Sequence, residues 1–241
     1  MRWNLNRIIP IFFGFAVQLG LTAHALCQSQ LELAAKLHAA DGSTSLDVQD
    51  VKPWHLKINL QIFDEKGLQS NQGTIEEWWN GPGIDRRQYV TNIYSATEVR
   101  NGLNLWRTKG QAPPPYYLEL LREQATHPMP KAGDIEGTVF VQQKVPFGKV
   151  SLNCITLSQP FLPTKLVPVG LFPMYCFDPD KDLLRASFEF GKQTVLLNNL
   201  ILFQQRVVAR GIAVLQGTDK IAVAEIPTLE LSQAPDSMFV A

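Results

Sequence analysis

The sequence predicts a mainly antiparallel β protein, with about ten to twelve strands in one large curved sheet or open barrel and one or two covering helices. Three observations carry that class. Trp54, Leu56, Ile58, Leu60 and Ile62 alternate with His55, Lys57, Asn59 and Gln61, the period of a half-buried strand, which a helix would scatter around its axis. Runs of β-branched and aromatic residues separated by Gly, Asn, Asp and Pro fill most of the rest. Two segments carry helical spacing, and no Gly-rich βαβ unit appears.

In chain order, the first element is an export leader. Arg2 and Arg7 precede an apolar run from Ile8 to Leu21 and the small-residue site Ala23-His24-Ala25, the order a signal peptidase reads. The run of about 14 residues is shorter than the roughly 20 of a spanning helix. Met1 to Ala25 is therefore expected to be removed, placing the protein in the periplasm or cell envelope. Leu26 precedes Cys27, where a lipid-modified Cys would follow a small residue, so Cys27 is not expected to be acylated.

Residues 26–232 read as one domain, with a loose tail over 233–241. Leu31, Ala34, Ala35 and Leu37 lie three to four apart behind Ser29, a candidate N-cap, and predict a helix that stops at Asp41-Gly42. The alternating strand from Trp54 comes next. Asp64 to Gly67 has turn chemistry, Thr74 to Trp79 forms a strand, and Gly81-Pro82-Gly83 breaks it. Arg87 to Tyr94 follows, then a hairpin in which Asn101-Gly102 supplies two positive-φ positions between Glu98-Val99 and Leu103 to Trp106. Pro113-Pro114-Pro115 ends the sheet pattern. Tyr116 to Thr126 predicts a second helix lying across the sheet, closed by Pro128 and Pro130.

The second half returns to strands: Gly137 to Val145, Val150 to Ser158, Met174 to Phe177, Leu183 to Phe190, Gln193 to Leu197, Leu200 to Val208, Arg210 to Gln216 and Lys220 to Leu231. Gly191-Lys192, Asn198-Asn199 and Gly217 to Asp219 are the expected hairpin turns.

Composition narrows the function classes. The chain has 22 Lys+Arg against 22 Asp+Glu; losing Arg2 and Arg7 with the leader leaves a net charge of about −2, without the basic field that attracts phosphate backbones. Nucleic acid is not an expected partner. Residues are 45% hydrophobic and 18% charged, which suits a packed core rather than disorder. Cys154 and Cys176 flank a Pro-rich segment, and in an oxidising compartment they read as a disulfide, with two buried free thiols as the alternative. His24, His38, His55 and His127 are scattered singly, none at ligand spacing from a cysteine, so no metal site or cofactor is expected.

Motifs for catalysis are missing: there is no G-x-S-x-G, H-E-x-x-H, P-loop or G-x-G-x-x-G. Glu76 and Glu77 face opposite sides of a strand and cannot pair for glycoside hydrolysis; surface solvation is the expected role of both. Asp178, Asp180 and Asp182 contain Pro179 and lack the Gly and distal Glu of an EF-hand, which leaves a plain turn. Trp78-Trp79 places one indole in the core and the other on the second face. A concave face roofed by the Tyr116 helix would line an apolar pocket, the alternative being an ordinary core.

The stretch from Trp54 to Trp106 resembles the periplasmic lipoprotein-carrier fold of the outer-membrane localisation pathway (LolA/LolB-like). The matching features are the helix from Leu31 to Ala40, the strand from Trp54 to Phe63, Gly73 to Trp79 with its aromatic pair, the Gly81-Pro82 turn, Arg87 to Tyr94, the Arg100 to Trp106 hairpin and the Pro-led helix from Pro113 to Thr126. The family's arginine before the turn proline is Gly81 here. Continued through Phe147-Gly148-Lys149, Leu171 to Phe177 and Phe203 to Arg206, the pattern is also similar to the amino-terminal region of secreted acidobacterial proteins, some of them carrying the TonB name.

The carrier resemblance implies an open half-barrel and a non-enzymatic envelope protein. Its concave face would bind an apolar ligand, a lipid or a lipoprotein acyl chain, on Leu56, Ile58, Leu60, Ile62, Trp79, Val139, Val141, Phe188 and Phe190. The alternative is a protein-interaction or sensor domain of the same fold, with a self-filled core and an envelope protein as partner.

Overall fold

The computed structural model describes residues 29–159, 167–189 and 193–240; the expected leader, Cys27, Phe190 and the turn expected at Gly191-Lys192 lie outside them. Twelve antiparallel strands form one open sheet in the order β5-β4-β3-β2-β1-β12-β11-β10-β9-β8-β7-β6. The strands are β1 (Trp54–Phe63), β2 (Gln69–Gly81), β3 (Ile84–Thr91), β4 (Ser95–Asn101), β5 (Asn104–Arg107), β6 (Val139–Phe147), β7 (Val150–Ser158), β8 (Met174–Phe177), β9 (Leu184–Phe188), β10 (Gln193–Phe203), β11 (Arg206–Gln216) and β12 (Asp219–Leu231). Among the described residues three helices accompany them: α1 (29–44), α2 (Tyr116–Thr126) and α3 (Ala132–Ile135).

The order contains two meanders, β1 to β5 and β6 to β12, joined where β1 pairs with β12, Trp54 opposite Leu231 and Ile62 opposite Ala222. Consequently β5 and β6, consecutive in sequence, are opposite edges of a sheet roughly 50 Å across at about 4.8 Å per strand. The connection between them must cross the sheet, and α2 lies on that crossing, resting on β11 and β12. Topology alone thus sets a helix over the inner face.

The inner face carries the main core. The alternation of β1 directs Trp54, Leu56, Ile58 and Leu60 inward, where they join Ile75, Trp79, Ile212, Val214, Ala222 and Ala224 under Leu37, Leu118 and Leu121 of the helices. Trp54 stacks on Trp79 with centroids 5.8 Å apart, and its Nε1 donates to Leu46 O at 2.9 Å. A second, smaller cluster of Val145, Leu152, Cys154, Met174, Cys176, Ala186 and Phe188 occupies the other face. Cys154 and Cys176 stand directly opposite on β7 and β8 and form the disulfide, with Cα atoms 4.0 Å apart.

Four details differ from the sequence expectation. Asp41-Gly42 does not stop α1, because Ser43 and Thr44 hydroxyls donate back to Ala40 O and the Ser45 N–H bonds Asp41 O. Asn101 pairs with Asn104, so Gly102-Leu103 makes the turn and Gly102 alone has positive φ, at 63°. Asn198-Asn199 is no hairpin: β10 runs through it in unbroken register with Asn199 at φ 53°, and the reversal falls at Gln204-Gln205, φ 47° and 65°. A pair of positive-φ glutamines satisfies a tight turn without the Asn or Gly that usually signals one. The fourth, the position of Glu77, belongs to the site below. At the C-terminus, a 3-10 turn (Asp236–Phe239) returns to β3 and β4 and buries Phe239 to 3% exposure.

Candidate functional site

The inner face has three zones: an apolar floor, a buried charge network beside it, and an open cleft. Leu56 and Ile58 are 0% exposed, Leu60 and Trp79 are buried, and Ile62 is half-buried at the end of the same floor. Val139, Val141 and Phe188 do not join them. Val141 stands opposite Thr156, Val139 opposite Ser158, and both therefore share the face of Cys154, where Phe188 also lies. The expected lining is thus divided between the two faces, and Phe190 is outside the described residues.

The network is centred on Glu77, which is not solvated but 0% exposed. Strand alternation points it inward between Ile75 and Trp79, and α2 meets it with Arg122, which follows Leu121 on the buried stripe of that helix. Arg122 Nε donates to Glu77 Oε2 and Nη2 to Oε1, both at 2.7 Å, a bidentate pair. Arg87 on β3 adds Nε to Glu77 Oε1 at 3.3 Å and faces Asp85 Oδ1 at 2.8 Å. Tyr89 completes the seam by donating its hydroxyl to Glu119 of α2.

Burial pushes the Glu77 carboxyl up, but the charges of Arg122 and Arg87 and their hydrogen bonds outweigh it and hold it below the ordinary carboxylate range. Asp85 goes the other way: burial raises it, Arg87 opposes, and neighbouring Glu77 raises it further. Such paired, hydrogen-bonded charges can fasten a helix to a sheet. Strand alternation was the signal for Glu77 in the sequence, and the helical stripe the signal for Arg122.

The C-terminal end of α2 is tied by a titrating contact. His127 Nδ1 lies 2.7 Å from Asp47 Oδ1, and Nε2 lies 3.3 Å from Asp41 Oδ1 at the end of α1. The hydrogen bond to Asp47 raises the His127 pKa, burial opposes, and the charges of Asp47 and Asp41 add to the rise. A raised folded-state pKa gives stability that is fully present below the ordinary 6.5 and is lost as pH rises through the folded value. His127→Ala is accordingly expected to lower stability by about 1 kcal/mol after solvent screening. The melting difference from wild type should be largest below pH 6.5 and shrink above it; a difference flat across that range would contradict the assignment.

The cleft opens on the inner side between α2, the segment after it and β7 to β9, with a volume of about 630 Å³. Leu157, Met129 and Tyr175 form apolar walls, and Glu123, Gln124 and Glu189 are polar lining. Among the described residues no group of three or more His, Cys, Asp and Glu side chains could hold a metal ion. Asp178 instead organises its own turn, Oδ1 accepting the N–H groups of Asp180 and Lys181, while Asp182 pairs with Lys36 of α1. Among the described residues no helix is long and apolar enough to cross a membrane.

No family model and no curated protein matches the sequence. Solved structures do match the fold. A LolA superfamily protein from Nitrosomonas europaea aligns over 86% of this chain and 97% of its own, with a TM-score of 0.53 and 9% identity. A DUF1329 family protein from Desulfovibrio piger aligns over 88% and 96%, with a TM-score of 0.44 and 8% identity. The open twelve-stranded sheet with its helical cover is therefore the fold seen in a LolA superfamily protein.

Proposed function

We propose that this is a non-enzymatic envelope protein that binds a lipid or a lipoprotein acyl chain on the inner face, with α2 as a lid. The observation that carries the reading is how α2 is held. Leu118, Leu121 and Ala125 pack on the floor, yet the strongest directed contact is the buried pair of Arg122 with Glu77. A buried ion pair adds little over apolar packing of the same shape, because both charges regain hydration when it opens. A lid fastened this way can lift where an all-apolar seam would not, and an acyl chain can take its place on Leu56, Ile58, Leu60, Ile62 and Trp79.

Export is supported by the leader from Met1 to Ala25 and by the Cys154–Cys176 disulfide, which persists in oxidising compartments. The resemblance to lipoprotein carriers supports the acyl chain as ligand.

A second reading has one observation in its favour. Leu56, Ile58 and Ile75 are wholly buried by the protein's own side chains, as expected of a protein-interaction or sensor domain with a filled core. Titration with 11-dansylaminoundecanoic acid separates the two. Saturable energy transfer from Trp54 and Trp79 to the dansyl group at micromolar probe is the expected result. Absence of transfer at any soluble probe concentration would leave the filled-core reading in its place.

A further inference from the structure

We propose that the sheet face opposite the acyl floor carries a binding groove for a neutral oligosaccharide. In β1, Asn59 and Gln61 alternate with the inward Ile58 and Leu60 and so point to that opposite face. Strand register then lays out a row in which Val90, Thr74, Asn59, Glu225, Gly211 and Asn198 stand successively opposite one another. A second row beside it runs through Gln72, Gln61, Val223 and Ala213. The two rows line a groove of about 760 Å³, within the range of ligand sites. It crosses from β3 to β10, which at five strand spacings is about 24 Å. That length suits a chain of rings.

Two features of the groove are not required by the fold. Asn is depleted in strands, yet Asn59 and Asn198 stand in the middle of β1 and β10. Among the described residues their side-chain amides, like that of Gln61, have no hydrogen-bond partner. Gly211 is the second feature. It lies inside β11 without a positive φ, and a Cβ there would meet only ordinary contacts, 3.6 Å from Asn199 Nδ2 and 3.7 Å from Asn198 Cβ. Neither a turn nor crowding calls for glycine here, and such a glycine in a strand marks a close approach of ligand to backbone.

The chemistry of the lining selects the ligand. A side-chain amide offers two N–H donors and a carbonyl acceptor, which matches hydroxyl groups that both donate and accept. Glu225 is the single ionisable side chain among the described residues of the groove, so an anionic polymer would meet a like charge with no cation to offset it. A peptide strand would find no free backbone, since every strand here is paired on both sides. Val90, Val223 and the bare backbone at Gly211 are too little apolar surface for a fatty chain, but they fit the C–H faces of sugar rings.

This inference is independent of acyl binding on the inner face. The sugar can come free or as the glycan of the cell wall, so calorimetric titration with maltohexaose, N-acetylchitohexaose and hexagalacturonate is paired with cosedimentation on purified peptidoglycan sacculi. At least one neutral hexasaccharide is expected to bind at millimolar concentration or below, and hexagalacturonate is not. Gly211→Val fills the floor and Asn59→Thr removes an amide, and each puts a good strand former in place of a poor one. Both should therefore melt no lower than wild type, with binding of that hexasaccharide weakened at least about tenfold by Gly211→Val and about fivefold by Asn59→Thr. Cosedimentation that Gly211→Val loses assigns the site to wall glycan; its absence in wild type, or its persistence in that variant, assigns the site to a free sugar. The proposal is overturned if neither neutral hexasaccharide binds wild type at millimolar concentration, if hexagalacturonate binds as tightly, or if both variants bind undiminished.

Discussion

Arg122→Met is expected to destabilise the protein by about 3–5 kcal/mol, because it leaves the Glu77 carboxylate buried with only the longer contact from Arg87. Replacing both partners, Glu77→Leu with Arg122→Leu, should recover most of that loss, since apolar groups of similar volume carry no desolvation penalty. Chemical denaturation of Glu77→Leu, Arg122→Leu and the double variant checks this, and a double variant as unstable as the sum of these singles would contradict it. The pH dependence has a definite sign. The folded-state pKa of Glu77 is lowered, so its contribution is present above the ordinary 4.5 and is lost as pH falls through the folded value. Wild type should therefore lose stability in acid more steeply than the double variant.

Ile58→Glu is expected to have an equally large effect, on the order of 5 kcal/mol, near the whole stability of many domains. Ile58 is 0% exposed in the middle of the inner core, between Leu56 and Leu60, with no cationic side chain on its strand face. A carboxyl there has its pKa raised by burial. The loss should be smallest at the acid end, where the group is mostly protonated folded and unfolded alike, and should grow as pH rises. Circular dichroism melts between pH 4 and 8 show it. A variant that is as stable as wild type at pH 7 would mean that water reaches this face.

Both effects depend on which face each side chain takes, and the sequence reveals that unevenly. β1 is apolar on alternate residues only, so its pattern specifies strand and face together. In β7, β8 and β9 both alternations are apolar, as Leu152 and Cys154 against Ile155 and Leu157 show, because each face there meets a hydrophobic cluster. Periodicity then identifies a strand but cannot say which side is inner, and Val139, Val141 and Phe188 accordingly lie on the face opposite to Leu56 and Ile58. α2 was readable from its Pro start and its leucine spacing, and its bounds coincide with Tyr116–Thr126.

Charge in the interior was the harder matter. Glu77 stands beside Glu76 in a polar-looking pair, and only its parity with Ile75 and Trp79 betrays its direction. Its partner Arg122 is 45 positions away and on another element. The end of α2 and Glu189 line one cleft only because β5 and β6 lie at opposite edges and force α2 across the sheet. No local pattern encodes that meeting.

The central claim, that α2 is a lid over an apolar binding face, is tested most directly by hydrogen exchange on the amides of α2 with and without the dansyl acyl probe. Binding beneath the helix must part Arg122 from Glu77, so the amides from Leu118 to Ala125 should exchange faster in the presence of the probe, while those of β1 and β12 keep their protection. A probe that binds and leaves the exchange of α2 unchanged would contradict the account.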